Sequence, residues 1–368
     1  MSVDARDVDN SAQGQLLAAA GGLSLNADSL DNRAGLILAQ AGHAELALGQ
    51  GSVDNRGGSV QGDSLAVTAV SLDNRAGDAA SGTLAGQIAS LVGDLRLQVS
   101  RLLNQGGQLT AKTDLELTGS ELDNRDGGQV SAASLDLQLD DALRNDAGLI
   151  EAERDLTLNA ASLDNGNGGQ LRALAGSASH IGVSGQLDNQ GGSIAVGSEA
   201  FTLSADALLN GGGEVQHAGT GLFSLQLQRL SGSRGTLLGS GAGNWQLGSV
   251  DGLGQAQLNG ALTLDVRQAL ILASGDRLAS SGALSVQADS LQNAGELLTD
   301  ADLSVDASGA VSNSGLFSAQ QALRIGAASL AQADGRLASG GDMTLTLSGT
   351  LDNLGRLIAN QGLNVSAA

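Results

Sequence analysis

The 368-residue chain has no Cys, no Pro and no Tyr, and only one Trp and three Phe. Lack of Cys rules out a disulfide framework and thiol chemistry. With so few aromatics, the core cannot rest on the large packing units that usually dominate a chain of this length. Its apolar side chains are almost all Leu, Ala, Val and Ile, which suits many similar small layers. The missing Pro, with 41% hydrophobic residues, also separates the chain from disordered sequences. Lysine is confined to Lys112 and the formal net charge is −21. That balance disfavours nucleic acid and anionic membrane surfaces as partners, because both need Lys/Arg patches. No apolar run reaches the roughly 18 residues of a membrane-spanning helix, so no membrane insertion is expected. Met1–Asn10 lacks the character of a signal peptide.

What is present is repetition. Leu30-Asp31-Asn32-Arg33 returns as Leu72-Asp73-Asn74-Arg75 and Leu122-Asp123-Asn124-Arg125, with Val53-Asp54-Asn55-Arg56 a close variant. Shorter forms end in Asn165, Asn189 and Asn353, and looser ones in Asn10, Asn104, Asn145, Asn210, Asn293 and Asn313. A Gly follows each within a few residues. Between Asn210 and Asn293 the turn positions are degenerate and fall at Gly232, Gly252 and Ser274; Gln332 fills the slot between Asn313 and Asn353. These positions imply about 17 coils of about 21 residues, an internal period of the kind that marks a solenoid. Residues 1–368 read as a single repeat domain, with degenerate coils over 215–290.

One coil shows the local logic. A short run Gly148–Ala152 leads to Asp155–Ala160 and then Ala161–Asn165. Leu156 and Leu158 alternate with Thr157 and Asn159, the period of two of a strand with one buried face. Three short strands joined at corners make a coil, and stacking buries what one coil cannot. About 17 coils at about 4.8 Å would extend on the order of 80 Å. Asn suits a tight corner because its side chain bonds local backbone and tolerates the left-handed conformation. Stacked in register, such amides can also bond one another. Gly would supply positive φ.

The pattern Leu-Asp-Asn-x-Gly-Gly-x-Ile/Leu-x-Ala, seen best at Leu122–Ala132, Leu143–Ala152, Leu187–Ala195 and Leu351–Ala359, resembles the haemagglutinin repeats of the filamentous haemagglutinin family. Stalks of contact-dependent growth-inhibition toxins share these repeats. The resemblance implies an all-β, right-handed parallel β-helix in a Gram-negative exoprotein, secreted by an outer-membrane two-partner transporter and displayed at the cell surface. It also implies that the chain is an internal fragment of a larger protein, presenting a distal adhesive or toxin domain to a host or neighbouring-cell receptor or glycan.

Catalytic and metal constellations find little support. His43, His180 and His217 lack metal-ligand spacing, and His43 and His217 read as solvated corners. No nucleophile elbow and no calcium nonapeptide occurs; Gly166-Asn167-Gly168-Gly169 lacks the Asp. Asp140-Asp141 beside Arg144 reads as a solvated face rather than a catalytic dyad. The expectation is a non-enzymatic segment without cofactors, against the alternatives of a receptor-binding segment or a polysaccharide-active β-helix enzyme. Two irregularities stand out. The gap from Asn74 to Asn104 holds a loop insertion at 78–87, and the degenerate coils contain Phe223 and Trp245, read as core or corner filling or as exposed aromatics for stacking on sugar.

Overall fold

The structure, a computed structural model, describes residues 1–77 and 84–368. The expected loop over 78–87 falls largely outside them; on its flanks, the Gly77 N–H donates to the Leu84 carbonyl at 2.8 Å and Gln87 bonds Gly58. The chain is a parallel β-solenoid of about 17 turns, spaced roughly 21 residues apart, with no helix among the described residues. It divides into two units, residues 1–185 and 186–368.

In the first unit each coil presents three β faces, on separate strands in some coils and on one continuous strand in others, as in Ser59–Asp73. The coil after Asn145 has Leu149–Ala152 on the first face, Leu156–Ala160 on the second and Ser162–Asp164 on the third. Every strand pairs in parallel with its copy one coil on. Gln129–Ala132 aligns with Leu149–Ala152, Leu135 and Leu137 with Leu156 and Leu158, and Leu143 with Leu163. Alternation decides which side is buried. Ile150, Ala152, Leu156, Leu158 and Leu163 are all enclosed, whereas Glu151, Thr157 and Asn159 point outward. Full burial of each Leu or Ile is worth about 1.5–3 kcal/mol before entropy is subtracted.

The second unit keeps this plan and varies its third face. Leu270–Leu272, Leu291–Asn293, Ala310–Asn313, Ser329–Gln332 and Leu351–Asn353 form a separate five-stranded parallel sheet. Their register overturns one expected turn position. Asn293 aligns with Leu272, so Leu272, not Ser274, stands where an Asn would. Gly232 and Gly252 do occupy corresponding corners, the Gly232 N–H donating to the Gly252 carbonyl at 2.8 Å.

Candidate functional site

The corner that closes each coil concentrates the chain's most repeated chemistry. In the first unit the carboxamides of Asn10, Asn32, Asn55, Asn74, Asn104, Asn124, Asn145 and Asn165 lie buried in one column. From Asn10 to Asn145, each Nδ2 donates to the Oδ1 of the next Asn, at 2.6–2.8 Å. The same Nδ2 reaches two carbonyls. Asn145, for example, donates to Gly148 of its own turn and to Gln170 of the following coil, at 3.3 and 3.1 Å. These bonds satisfy groups that would be costly if buried alone.

Conformation at the corner differs from the sequence expectation. The left-handed residue is not the Asn but the one two positions later, filled by Ala34, Asp126, Ala147, Asn167 or Gly106. A following Gly does supply positive φ, as expected, at Gly57, Gly106, Gly191 and Gly212, but a second glycine, three positions after the Asn, has another role. Gly35, Gly58, Gly107 and Gly148 show no positive φ; a Cβ on them would fall 2.0–2.1 Å from the carbonyl oxygen of the preceding corner Asn. Close approach between coils, not turn geometry, requires Gly there. The offset is three residues at these corners and four at Gly128 and Gly169, so the recurrence of a second Gly, rather than a fixed spacing, was the available signal.

An ionic stripe flanks the column. Asp31 accepts from the Arg33 backbone N–H and pairs with its guanidinium at 2.5 Å, while Arg33 also approaches Asp54 at 3.7 Å. Arg56 bridges Asp54 and Asp73 in the same way, and Arg75 pairs with Asp73. Bonding to Arg33 holds the Asp31 carboxyl below its ordinary value. Burial pushes Asp123 up, but its bonds to Arg125 outweigh this and leave it lowered. Asp164 runs the other way, raised by burial and by the neighbouring Asp146.

In the second unit the column is interrupted. Asn189 donates to Asn210 at 2.8 Å, and Asn293 to Asn313 and Asn313 to Gln332, each at 2.8 Å. Asn353 lies in register with Gln332 and is exposed. Where Leu272 replaces Asn, the buried carboxylate of Asp276 takes over. It accepts from the backbone N–H groups of Leu253, Gly254 and Ala273 at 3.0–3.2 Å.

Three of the four aromatic residues lie together at the start of the second face, in the same coils. Phe201 and Phe223 stack with centroids 5.4 Å apart, and Trp245 meets Phe223 edge-on at 5.7 Å. Trp245 and Phe223 are fully enclosed, as the core-filling reading expects, so neither presents a ring for sugar to stack on, and the alternative of a binding role is corrected. His217 is also corrected: it is buried against Phe201 and Phe223, its Nε2 donating to the Ser198 carbonyl at 2.9 Å. Glycines make the room. A Cβ on Gly243 would stand 2.3 Å from the Leu258 side chain, and one on Gly239 3.4 Å from the Phe223 ring. His43 is exposed and contacts Ser64. Asp140 and Asp141 are exposed, and Arg144 turns toward Glu121. Among the described residues no three His, Cys, Asp or Glu side chains gather as a metal site would.

A family model for the haemagglutinin repeat matches residues 5–47, 39–90, 71–139, 130–191, 279–346 and 344–368. Residues 192–278, which hold the aromatic cluster and the interrupted column, fall outside these matches. Comparison with curated proteins and with solved structures found no match.

Proposed function

The chain belongs to the haemagglutinin-repeat family of filamentous haemagglutinin-type proteins, and on that premise we propose that it is a non-catalytic stalk of a secreted, cell-surface exoprotein, which spaces and presents a distal adhesive or toxin domain. Family and fold fit a structural or adhesive stalk. One observation carries the reading further: the same corner amide and the same three β faces recur in phase from Asn10 to Asn165. A segment built this way can gain or lose whole coils without redesign, because each coil interacts only with its neighbours. The partners of this reading are an outer-membrane two-partner transporter and a receptor or glycan on a host or neighbouring cell.

The test is phase-specific deletion in a displayed protein carrying a distal reporter. Removing residues 125–145, one whole coil ending at a corner Asn, should preserve β-structure, export and display. Removing residues 125–135 breaks the register, turning buried side chains outward, and should abolish all three. Loss of display by the in-phase deletion, with the fold intact, would show that residues 125–145 do something other than spacing.

A further inference from the structure

We propose that Asn167 is a site of spontaneous, enzyme-free modification, at which the side-chain amide is lost and an Asp or isoaspartate takes its place. The chain has four Asn-Gly pairs, at Asn165, Asn167, Asn210 and Asn259. Glycine leaves the backbone nitrogen after an Asn unhindered by a side chain, so these pairs are where that nitrogen can most readily attack the Asn Cγ. The fold sets them in three different situations. Asn165 and Asn210 are buried in the corner column, where Asn145 and Asn189 donate to their Oδ1 atoms at 2.8 Å. Asn259 is exposed, but the Gly260 N–H is held by the Gly241 carbonyl at 3.0 Å. At Asn167 both the Asn and Gly168 are exposed, and the Gly168 N–H donates to no group among the described residues.

Residues 166–169 form a tight turn, closed by the Gly169 N–H on the Gly166 carbonyl at 2.8 Å. Asn167 and Gly168 are both left-handed, at φ of 49° and 84°, the pairing that Asn-Gly favours. A Cβ on Gly168 would meet nothing within 4 Å, so the peptide between the two residues has open space in which to turn. In the first step the Gly168 nitrogen bonds the Asn167 Cγ. The bond from Cγ to Nδ2 then breaks, ammonia leaves with the proton that Gly168 gives up, and a cyclic imide remains. Water adds to one of the two imide carbonyls. Cleavage between Cγ and the Gly168 nitrogen leaves an ordinary Asp. Cleavage on the other side routes the main chain through Cγ as isoaspartate, one methylene longer. The fold accommodates the first product: Asp126 and Gly127 hold the same corner place two coils earlier, at φ of 57° and 81°. Isoaspartate lengthens the path from Gly166 to Gly169 and strains the bond that closes the turn. Either product also turns an attraction into repulsion. The Asn167 amide donates to the Asp146 Oδ1 at 3.2 Å, whereas a carboxylate there would face Asp146, which already lies against Asp164. Because no enzyme is needed, the converted fraction grows with time after folding, and the corner records the age of the chain.

Incubation of the full chain in mildly alkaline buffer at physiological temperature, with samples digested and sequenced by mass spectrometry over time, tests the proposal. Fragmentation of the peptide between Arg154 and Arg172 separates Asn165 from Asn167 and distinguishes Asp from isoaspartate. In the folded chain Asn167 should convert at least about tenfold faster than Asn165, Asn210 or Asn259, because each of those must first open bonds that Asn167 and Gly168 lack. A parallel incubation in urea, where the coils are unfolded, should bring all four sites to similar rates, which separates protection by the fold from the effect of neighbouring residues. Conversion of Asn167 no faster than of Asn165 or Asn259 in the folded chain, or no conversion there while all four sites convert in urea, would overturn the assignment.

Discussion

The two units solve the same problem at the coil corner by different means. Residues 1–185 rely on one device, an uninterrupted column of carboxamides from Asn10 to Asn165. Residues 186–368 break that column and substitute two others: glycine at positions 232 and 252 and the buried Asp276 carboxylate. What a corner requires is therefore bonding for its backbone groups, not asparagine as such. A carboxylate can accept from three N–H groups where an amide is missing.

The comparison is sharpest at Trp245. Its truncation to Ala would empty the largest buried side chain of the second unit, and the cost should be about 3–5 kcal/mol. Denaturant unfolding followed by hydrogen exchange should show the loss in residues 186–368 while residues 1–185 keep their protection. Equal loss in both would mean that they unfold as one and that the contrast has no energetic meaning.

Asn145→Leu probes the opposite device. It removes one acceptor from the Asn124 Nδ2 and the Asn145 amide donor from the Asn165 Oδ1 and from the carbonyls of Gly148 and Gln170, and a buried group left unsatisfied costs about 1–3 kcal/mol. With partial relaxation the expected destabilisation is about 3 kcal/mol, read as a shift in denaturation midpoint. A change under about 0.5 kcal/mol, the scatter of surface substitutions, would show the column to be dispensable even where it is unbroken.

Acid should act more weakly and mainly on the first unit. Asp31 and Asp123 are depressed in the folded chain. Their contribution is thus fully present above the unfolded carboxylate value, near 3.9, and is lost as pH falls through the lower folded values. Asp164, raised by burial and Asp146, has the opposite sign and offsets part of this. Between about pH 5 and pH 3 the midpoint of residues 1–185 should fall, and Arg125→Ala should flatten that fall. An unchanged acid slope in Arg125→Ala would remove the ionic stripe from the account.

Much of this architecture was legible in the residues. The spacing of Asn and Leu revealed the coil length, and alternation at Leu156-Thr157-Leu158 revealed which side of a strand is buried. The corner was legible only in part. Asn was read as bonding its turn and its neighbours, and a following Gly as supplying positive φ, as Gly57 and Gly106 do, but the separate role of the Gly three places on was not seen. Trp245, Phe223 and His217 were harder still, since a single copy of a residue has no periodic context to say which way it points. Asp276 was not singled out, because its partners Leu253 and Gly254 are more than twenty positions away and adjacent only after stacking.

By itself, then, the sequence determined the period, the strand faces and the family, because these follow from local alternation and from phase kept over many copies. Tertiary structure alone decided what bonds the interrupted corners and why Gly148 and its equivalents must be Gly. Those outcomes depend on distances between residues about one coil apart, and such distances exist only once a coil has a neighbour to lie against.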